Sequence, residues 1–177
     1  PTGSSSGDPV CAAVEAWPAE TRERRGYVLW NEGWHEGVIG IVASRLVERF
    51  HRPVVLIARS GEGWKGSGRS ISDFDLHGGL AACAEHLERF GGHRAAAGLT
   101  IAEEQLDGFA AAFGRHADEA LADVDLRPLT TVDAIVPAGA LTLDLAQELD
   151  RLAPFGLGNP EPTLLVASIE ATGASTV

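Results

Sequence analysis

The sequence predicts an α/β fold: a small mixed sheet with a βαβ crossover and flanking helices, followed by part of a second domain. Three observations carry this reading. A β-prone run at residues 27–30 precedes a helical pattern at 36–50, and Val54-Val55-Leu56-Ile57-Ala58 follows as a continuous apolar run of strand length. Such a run suits a strand buried on both faces. Strand, helix and strand over this distance make a right-handed crossover, which sets the two strands parallel and lays the helix over one face. Periodicity is then lost at 123–131, a stretch that includes Pro128, and a domain boundary is expected there.

The expected organisation is therefore a linker with a short connecting helix at 1–25, a first domain at 26–123, and a partial second domain at 124–177. Residues 1–7 are rich in Gly and Ser, and Asp8-Pro9 opens a helix to about residue 16 that Pro18 closes. Within 36–50, Val38, Val42 and Leu46 recur at four-residue spacing with Ile39, Ala43, Val47 and Phe50 beside them. Residues 60–63 form a turn and 64–71 return extended. Asp73 or Asp75 caps a second helix, whose Leu76, Leu80, Cys83, Leu87 and Phe90 keep helical spacing as far as Gly91. A strand at 95–100 follows, and Thr100 with Glu103 reads as a capping box before a helix that buries Leu106, Phe109, Phe113 and Ala117. Beyond the boundary come a strand at 132–136, a helix with Leu145, Leu149 and Leu152 on one side, a proline-punctuated loop at 153–162, and a strand at 163–169. That last strand has no evident local partner, so the second domain is expected to be incomplete.

A net charge of −11 excludes a broad basic surface for duplex nucleic acid, so any such contact must be local. Cys11 and Cys83 lack the spacing of a zinc site or a disulfide framework, and Cys83 reads as core. No Asp-His-His run or His-x-x-x-His pair is present to offer a metal centre. No run approaches the roughly 20 apolar residues of a membrane span, and the expected location is cytoplasmic.

Three glycine-rich corners remain. In Phe90-Gly91-Gly92-His93-Arg94, glycines let the backbone approach a ligand while His93 and Arg94 supply donors, a combination suited to phosphate. The plainer alternative makes Gly91 a left-handed helix cap and leaves His93 and Arg94 as turn residues. Gly33-Trp34-His35-Glu36-Gly37-Val38-Ile39-Gly40 stands where strand passes to helix, and free N–H groups there favour anions, with His35 as an added donor. Alternatively His35 caps the helix and Trp34 packs. In Gly66-Ser67-Gly68-Arg69-Ser70, period two places Ser67 and Arg69 on one face, where a hydroxyl and a guanidinium can hold a terminal phosphate. Trp64 is expected on that same side, free to stack on a base, or else in the core.

Taken together, residues 33–46, Gly66-Ser67-Gly68-Arg69-Ser70 and Gly91-Gly92-His93 resemble the DHH-associated domain of bacterial RecJ single-strand-specific DNA exonucleases. The stretch Leu152-Ala153-Pro154-Phe155-Gly156-Leu157-Gly158-Asn159-Pro160-Glu161-Pro162 is similar to that family's entry into an OB-fold domain, an OB-like β-barrel. The resemblance covers about 27–169. It implies the substrate-binding part of a 5′-to-3′ single-stranded DNA exonuclease of DNA repair and recombination. Two divalent metal ions, manganese or magnesium, would lie in a separate DHH domain, which is both a partner and absent from this chain. His93 would be catalytic. Ser67, Arg69, Ser70, Gly91, Gly92, Arg94, His35, Trp34 and Trp64 would bind DNA phosphate or bases. A single-strand-binding protein and a helicase are further candidate partners; a membrane is not. By the same resemblance, this chain without the DHH domain is expected to be inactive. Two alternatives stand beside this one: a non-catalytic RecJ-like scaffold or binding module, and an RNA-contacting domain as in alanyl-tRNA synthetases.

Overall fold

The computed structural model describes residues 14, 17, 19–61, 63–128, 130–156 and 158–167. The helix expected up to residue 16, apart from Val14, lies outside them, as do Cys11 and residues 168 and 169. The chain divides into two compact units, Pro1–Pro128 and Leu129–Val177.

In the first unit a helical turn, α1 (Ala19–Arg22), leads into β1 (Tyr27–Asn31), α2 (Ile39–Phe50), β2 (Val54–Ser60), β3 (Gly63–Arg69), α3 (Leu76–Ala82), β4 (Arg89–Gly92), β5 (Ala96–Ile101) and α4 (Leu106–Ala120). The five strands form one mixed sheet in the order β1-β2-β3-β5-β4. β1 and β2 are parallel, as the crossover requires, and all other neighbours are antiparallel.

Alternation along the strands sorts the two faces. On one, Ile39, Ala43 and Leu46 of α2 bury Tyr27, Val54, Leu56 and Ala58. On the other, α3 and α4 bring Leu76, Leu80, Phe109 and Phe113 onto Val55, Ile57, Trp64, Ala97, Leu99 and Ile101. Val54 to Ala58 are therefore buried on both sides, which is why that stretch is continuously apolar. Phe113 meets Phe74 edge to face at 5.8 Å, and full burial of such a ring contributes about 1.5–3 kcal/mol. Cys83 is buried, and burial pushes its thiol pKa up. Among the described residues no helix is long and apolar enough to cross a membrane.

Four local expectations are corrected. The first helix begins at Ile39 rather than residue 36, because the His35 ring accepts the Gly37 N–H at 3.0 Å and holds a turn ahead of it; Val38 is left 48% exposed. The second helix does open on Asp75, whose carboxylate accepts the Gly78 N–H at 3.0 Å, but it ends at Ala82. A short 3₁₀ turn, Ala84–His86, follows, and Arg89–Gly92 becomes a strand paired with β5. Leu87 and Phe90 match a helical period by coincidence, and cross-strand pairing decides between the two structures. The capping box does not form: Thr100 is a ladder residue opposite Lys65, and Glu103 instead accepts from Arg59 at 3.2 Å and Trp64 at 3.4 Å.

In the second unit, α5 (Leu143–Asp150) is capped by Thr142, whose hydroxyl accepts the Leu145 N–H at 3.2 Å. Leu152 falls beyond its end. The fourth correction lies here: the last strand does have a partner. β6 (Ala134–Ile135) pairs in parallel with β7 (Leu164–Leu165), supported by a bond from the Thr163 N–H to the Asp133 carboxylate at 2.8 Å.

Candidate nucleic-acid interface

The sheet is covered unequally on the α2 side. β3 turns Lys65, Ser67 and Arg69 toward that side, opposite Ala58, Leu56 and Val54 in the register. Beyond β3 the same face is built of Ala96, Gly98 and Thr100 on β5 and of Arg89 and Gly91 on β4. These residues are exposed or half-buried, so the face is an open platform walled by the N-terminal turn of α2.

Two of the three corners meet at this wall. Arg69 Nη1 donates to Ser67 Oγ at 3.0 Å and to the Gly68 carbonyl at 2.8 Å, which realises the shared face expected from period two. Gly40, in the first turn of α2, lies directly above them. A Cβ added there would stand 2.9 Å from Arg69 Nη2 and 3.0 Å from Ser67 Oγ. Glycine is what admits the guanidinium beside the helix N-terminus, where both favour an anion.

The third corner reaches the same platform across β5. Arg69 pairs with Ala96, and the His93 N–H donates to the Ala96 carbonyl at 2.8 Å. The His93 backbone is thus two strand spacings from that of Arg69, about 9.6 Å. Gly91 and Gly92 are strand residues, not a helix cap. Gly92 has φ 140°, and a Cβ there would lie 2.5 Å from both the Ala96 oxygen and the Ala97 Cα. Only glycine fits that turn of the chain into His93. The His93 ring is exposed and has no hydrogen-bond partner recorded among the described residues.

The remaining expected residues have more local partners. Arg94 donates to the Ser72 carbonyl at 3.1 Å and stands 4.0 Å from Asp75, while its own carbonyl receives the Leu76 N–H. It therefore straps the third corner to the N-terminus of α3. Ser70 donates through its hydroxyl to the Phe74 carbonyl at 3.0 Å. His35 uses Nδ1 as an acceptor, which places the proton of the neutral ring on Nε2 and leaves that atom as a donor. Trp34 packs partly buried against the α2 side of the core.

Trp64 is a correction. It alternates with Gly66 and Gly68 rather than with Ser67 and Arg69, is 3% exposed, and belongs to the α3/α4 face. An odd offset along a strand reverses the face, so Trp64 cannot stack on a base above Arg69. Its edge borders a separate cleft of about 460 Å³ lined by Trp30, Asn31, Glu32, Trp64, Glu103, Leu106 and Asp107. Three carboxylates make that cleft unsuited to a polyanion.

Two partners of the platform escaped sequence reasoning. Lys65 Nζ pairs with Glu36 at 2.9 Å, and a Ser60 hydrogen bond together with Lys65 draws the Glu36 pKa down. Arg89 shares the platform face by register, a placement invisible while residues 84–91 are taken as helix. Among the described residues no three His, Cys, Asp or Glu side chains gather as a metal site.

Known protein families match both parts of the chain. Residues 23–119 match the DHHA1 domain model, and residues 132–177 match the RecJ OB domain model. The chain belongs to the DHHA1 domain family. More particularly, its relatives are RecJ nucleases. It is 36% identical over 156 residues to the single-stranded-DNA-specific exonuclease RecJ of Bacillus subtilis, covering 87% of this chain and 20% of that protein. With the RecJ of Dickeya dadantii it shares 41% identity over 143 residues, covering 78% of this chain and 25% of that one. The crystal structure of RecJ in complex with Mn2+ from Thermus thermophilus superposes with a TM-score of 0.71 at 31% identity, over 89% of this chain and 23% of that one. The Mg2+ complex from the same organism gives 0.68 at 33% identity, over 85% and 24%. The chain thus spans about a fifth to a quarter of the length of these relatives.

Proposed function

We propose that this chain is the DNA-contacting part of a RecJ-like 5′-to-3′ single-stranded DNA exonuclease acting in DNA repair and recombination in the cytoplasm. In this reading residues 26–123 contact DNA and residues 124–177 lead into an OB-fold domain. The observation that carries the reading is the meeting of Gly40, Ser67 and Arg69 on an open sheet face whose far edge is the Gly-Gly-His corner. Arg69 and Ser67 hold the 5′ phosphate, the guanidinium by its fork of donors and the hydroxyl by a single bond. The α2 N-terminus adds unpaired backbone N–H groups, and His35 adds Nε2–H. Gly91 and Gly92 let the strand approach the backbone, and His93 donates to a non-bridging or leaving oxygen as charge develops on it. Arg94, Ser70 and Trp34 act by holding these corners in place.

The manganese or magnesium ions of this chemistry belong to a DHH domain outside this chain, since the described residues do not fit such a centre. No step assigned to these side chains runs through a metal. The DHH domain and single-stranded DNA are the immediate partners; a single-strand-binding protein and a helicase are candidates beyond them.

The test uses a polypeptide in which this chain is joined to its DHH domain. Arg69→Ala should weaken binding and abolish the preference for a 5′-phosphorylated over a 5′-hydroxyl end. His93→Ala should lower the single-turnover rate by about 10²–10³ with affinity nearly unchanged, as for loss of one preorganised donor. A His93→Ala enzyme with normal turnover would remove the catalytic role. Nucleotide release by this chain alone with manganese or magnesium would overturn the division of labour.

A further inference from the structure

The antiparallel register orders the platform into three transverse rows. Lys65, Thr100 and Arg89 form the first. Ser67, Gly98 and Gly91 form the second. Arg69 and Ala96 form the third, which the His93 backbone continues. The eight side-chain positions on β3, β5 and β4 include three cations and no carboxylate, in a chain where 25 Asp and Glu outnumber 14 Lys and Arg. Positive charge is therefore concentrated here against the balance of the whole molecule. Lys65 is partly neutralised by Glu36, but Arg89 is exposed and no hydrogen bond or ion pair is recorded for its guanidinium among the described residues. Phe90, turned to the opposite face, packs against the core and fixes which way Arg89 faces.

We infer that Arg89, with Thr100 and Lys65 beside it, is a second backbone-phosphate subsite for single-stranded DNA, separate from the terminal-phosphate group at Arg69. This inference rests on the reading of Arg69 given above. The first and third rows are four strand residues apart, about 13 Å, and Arg89 lies two strand spacings across from Lys65, so its backbone stands about 16 Å from that of Arg69, a span of two to three repeats of a stretched nucleotide backbone. The row between them is open floor. A Cβ on Gly91 would meet nothing within 4 Å, and one on Gly98 would meet only the Gly66 oxygen at 3.6 Å. A sugar can lie flat on these glycines with phosphates falling toward the two charged rows. Thr100 supplies at the far row the hydroxyl that Ser67 supplies near Arg69.

Length dependence separates the two subsites. The 177-residue chain would be titrated with thymidine 5′-monophosphate and with a 5′-phosphorylated thymidine pentanucleotide, followed by amide chemical shifts. Arg89→Gln should weaken the pentanucleotide about 3–10-fold and reduce its salt slope by about 0.7, the value for one phosphate contact on a single strand. Mononucleotide affinity should stay within about twofold. Arg89→Lys should keep the salt slope, and Arg69→Ala should weaken both ligands. If Arg89→Gln leaves the pentanucleotide unchanged while Arg69→Ala weakens both, the second subsite is refuted and the terminal one stands. If Arg89→Gln weakens both ligands equally, Arg89 is not a separate subsite. If the unaltered chain binds neither ligand, the reading of Arg69 falls as well.

Discussion

Replacing Gly40 with alanine should separate the stability of this domain from its ligand binding. Gly40 is the second residue of α2, and in a helix alanine is favoured over glycine by about 0.5–1 kcal/mol. Against this stand two contacts: the new methyl would meet Arg69 Nη2 at 2.9 Å and Ser67 Oγ at 3.0 Å, where ordinary contact begins at 3.4 Å. The fork must therefore retreat by the difference of 3.4 and 2.9 Å, about half an ångström. It is the far end of a flexible chain, so the backbone need not move. The melting temperature should then stay the same or rise by up to about 4 °C. The same displacement takes the guanidinium off the geometry of paired charge-assisted hydrogen bonds. A loss of about 1 kcal/mol there lowers affinity roughly fivefold. Circular-dichroism melting gives the first quantity. Fluorescence anisotropy with matched 5′-phosphorylated and 5′-hydroxyl oligonucleotides gives the second, and only the phosphorylated strand should lose affinity. A fall of several degrees, or unchanged binding of the phosphorylated strand, would refute the reasoning.

Gly92→Ala should behave in the opposite way, because its clash is with backbone at 2.5 Å and its φ is 140°. A destabilisation of about 2–4 kcal/mol is expected in urea denaturation, and an unchanged midpoint would show that the turn relaxes freely. Glu36→Gln should release Lys65 toward the platform and tighten single-stranded DNA about two- to threefold at low salt; weaker binding would mean that the carboxylate positions Lys65 for the ligand. Asp125 should titrate at about 2 rather than 3.8, since hydrogen bonds from Arg127 favour its charged form. Its stabilising contribution is present above the ordinary carboxylate value and is lost as pH falls through about 2. Carboxyl NMR titration of Arg127→Gln should move it up toward 3.8 but leave it short of that value, because the backbone N–H of residue 127 still donates to Asp125 at 3.1 Å; a value still near 2 would point to another cause.

What the sequence makes legible is whatever depends on neighbours along the chain. The crossover follows from the apolar run at Val54 and the stripe before it, and the Ser67–Arg69 contact follows from a strand's period of two. The same rule read with the wrong offset put Trp64 on the platform, when parity assigns it to the core. Leu80, Cys83, Leu87 and Phe90 satisfy a helical period that runs up to the third corner, and pairing with β5 overrides it. The contact of Gly40 with Arg69 and the placement of Arg89 depend on strand order, which no local pattern encodes.

The position of β4 has a dynamic consequence. It is the shortest strand of the sheet, it lies at an edge, and β5 alone supplies its ladder partners. Opening it breaks few bonds and exposes little more than the half-buried Phe90. Amides of this strand should exchange with solvent through local opening well before those of β2, which is buried on both faces and reports global unfolding. The Gly-Gly-His corner can therefore detach from β5 and return while the rest of the sheet, including the Ser67–Arg69 pair, stays folded, so that the two ends of one platform move on separate timescales.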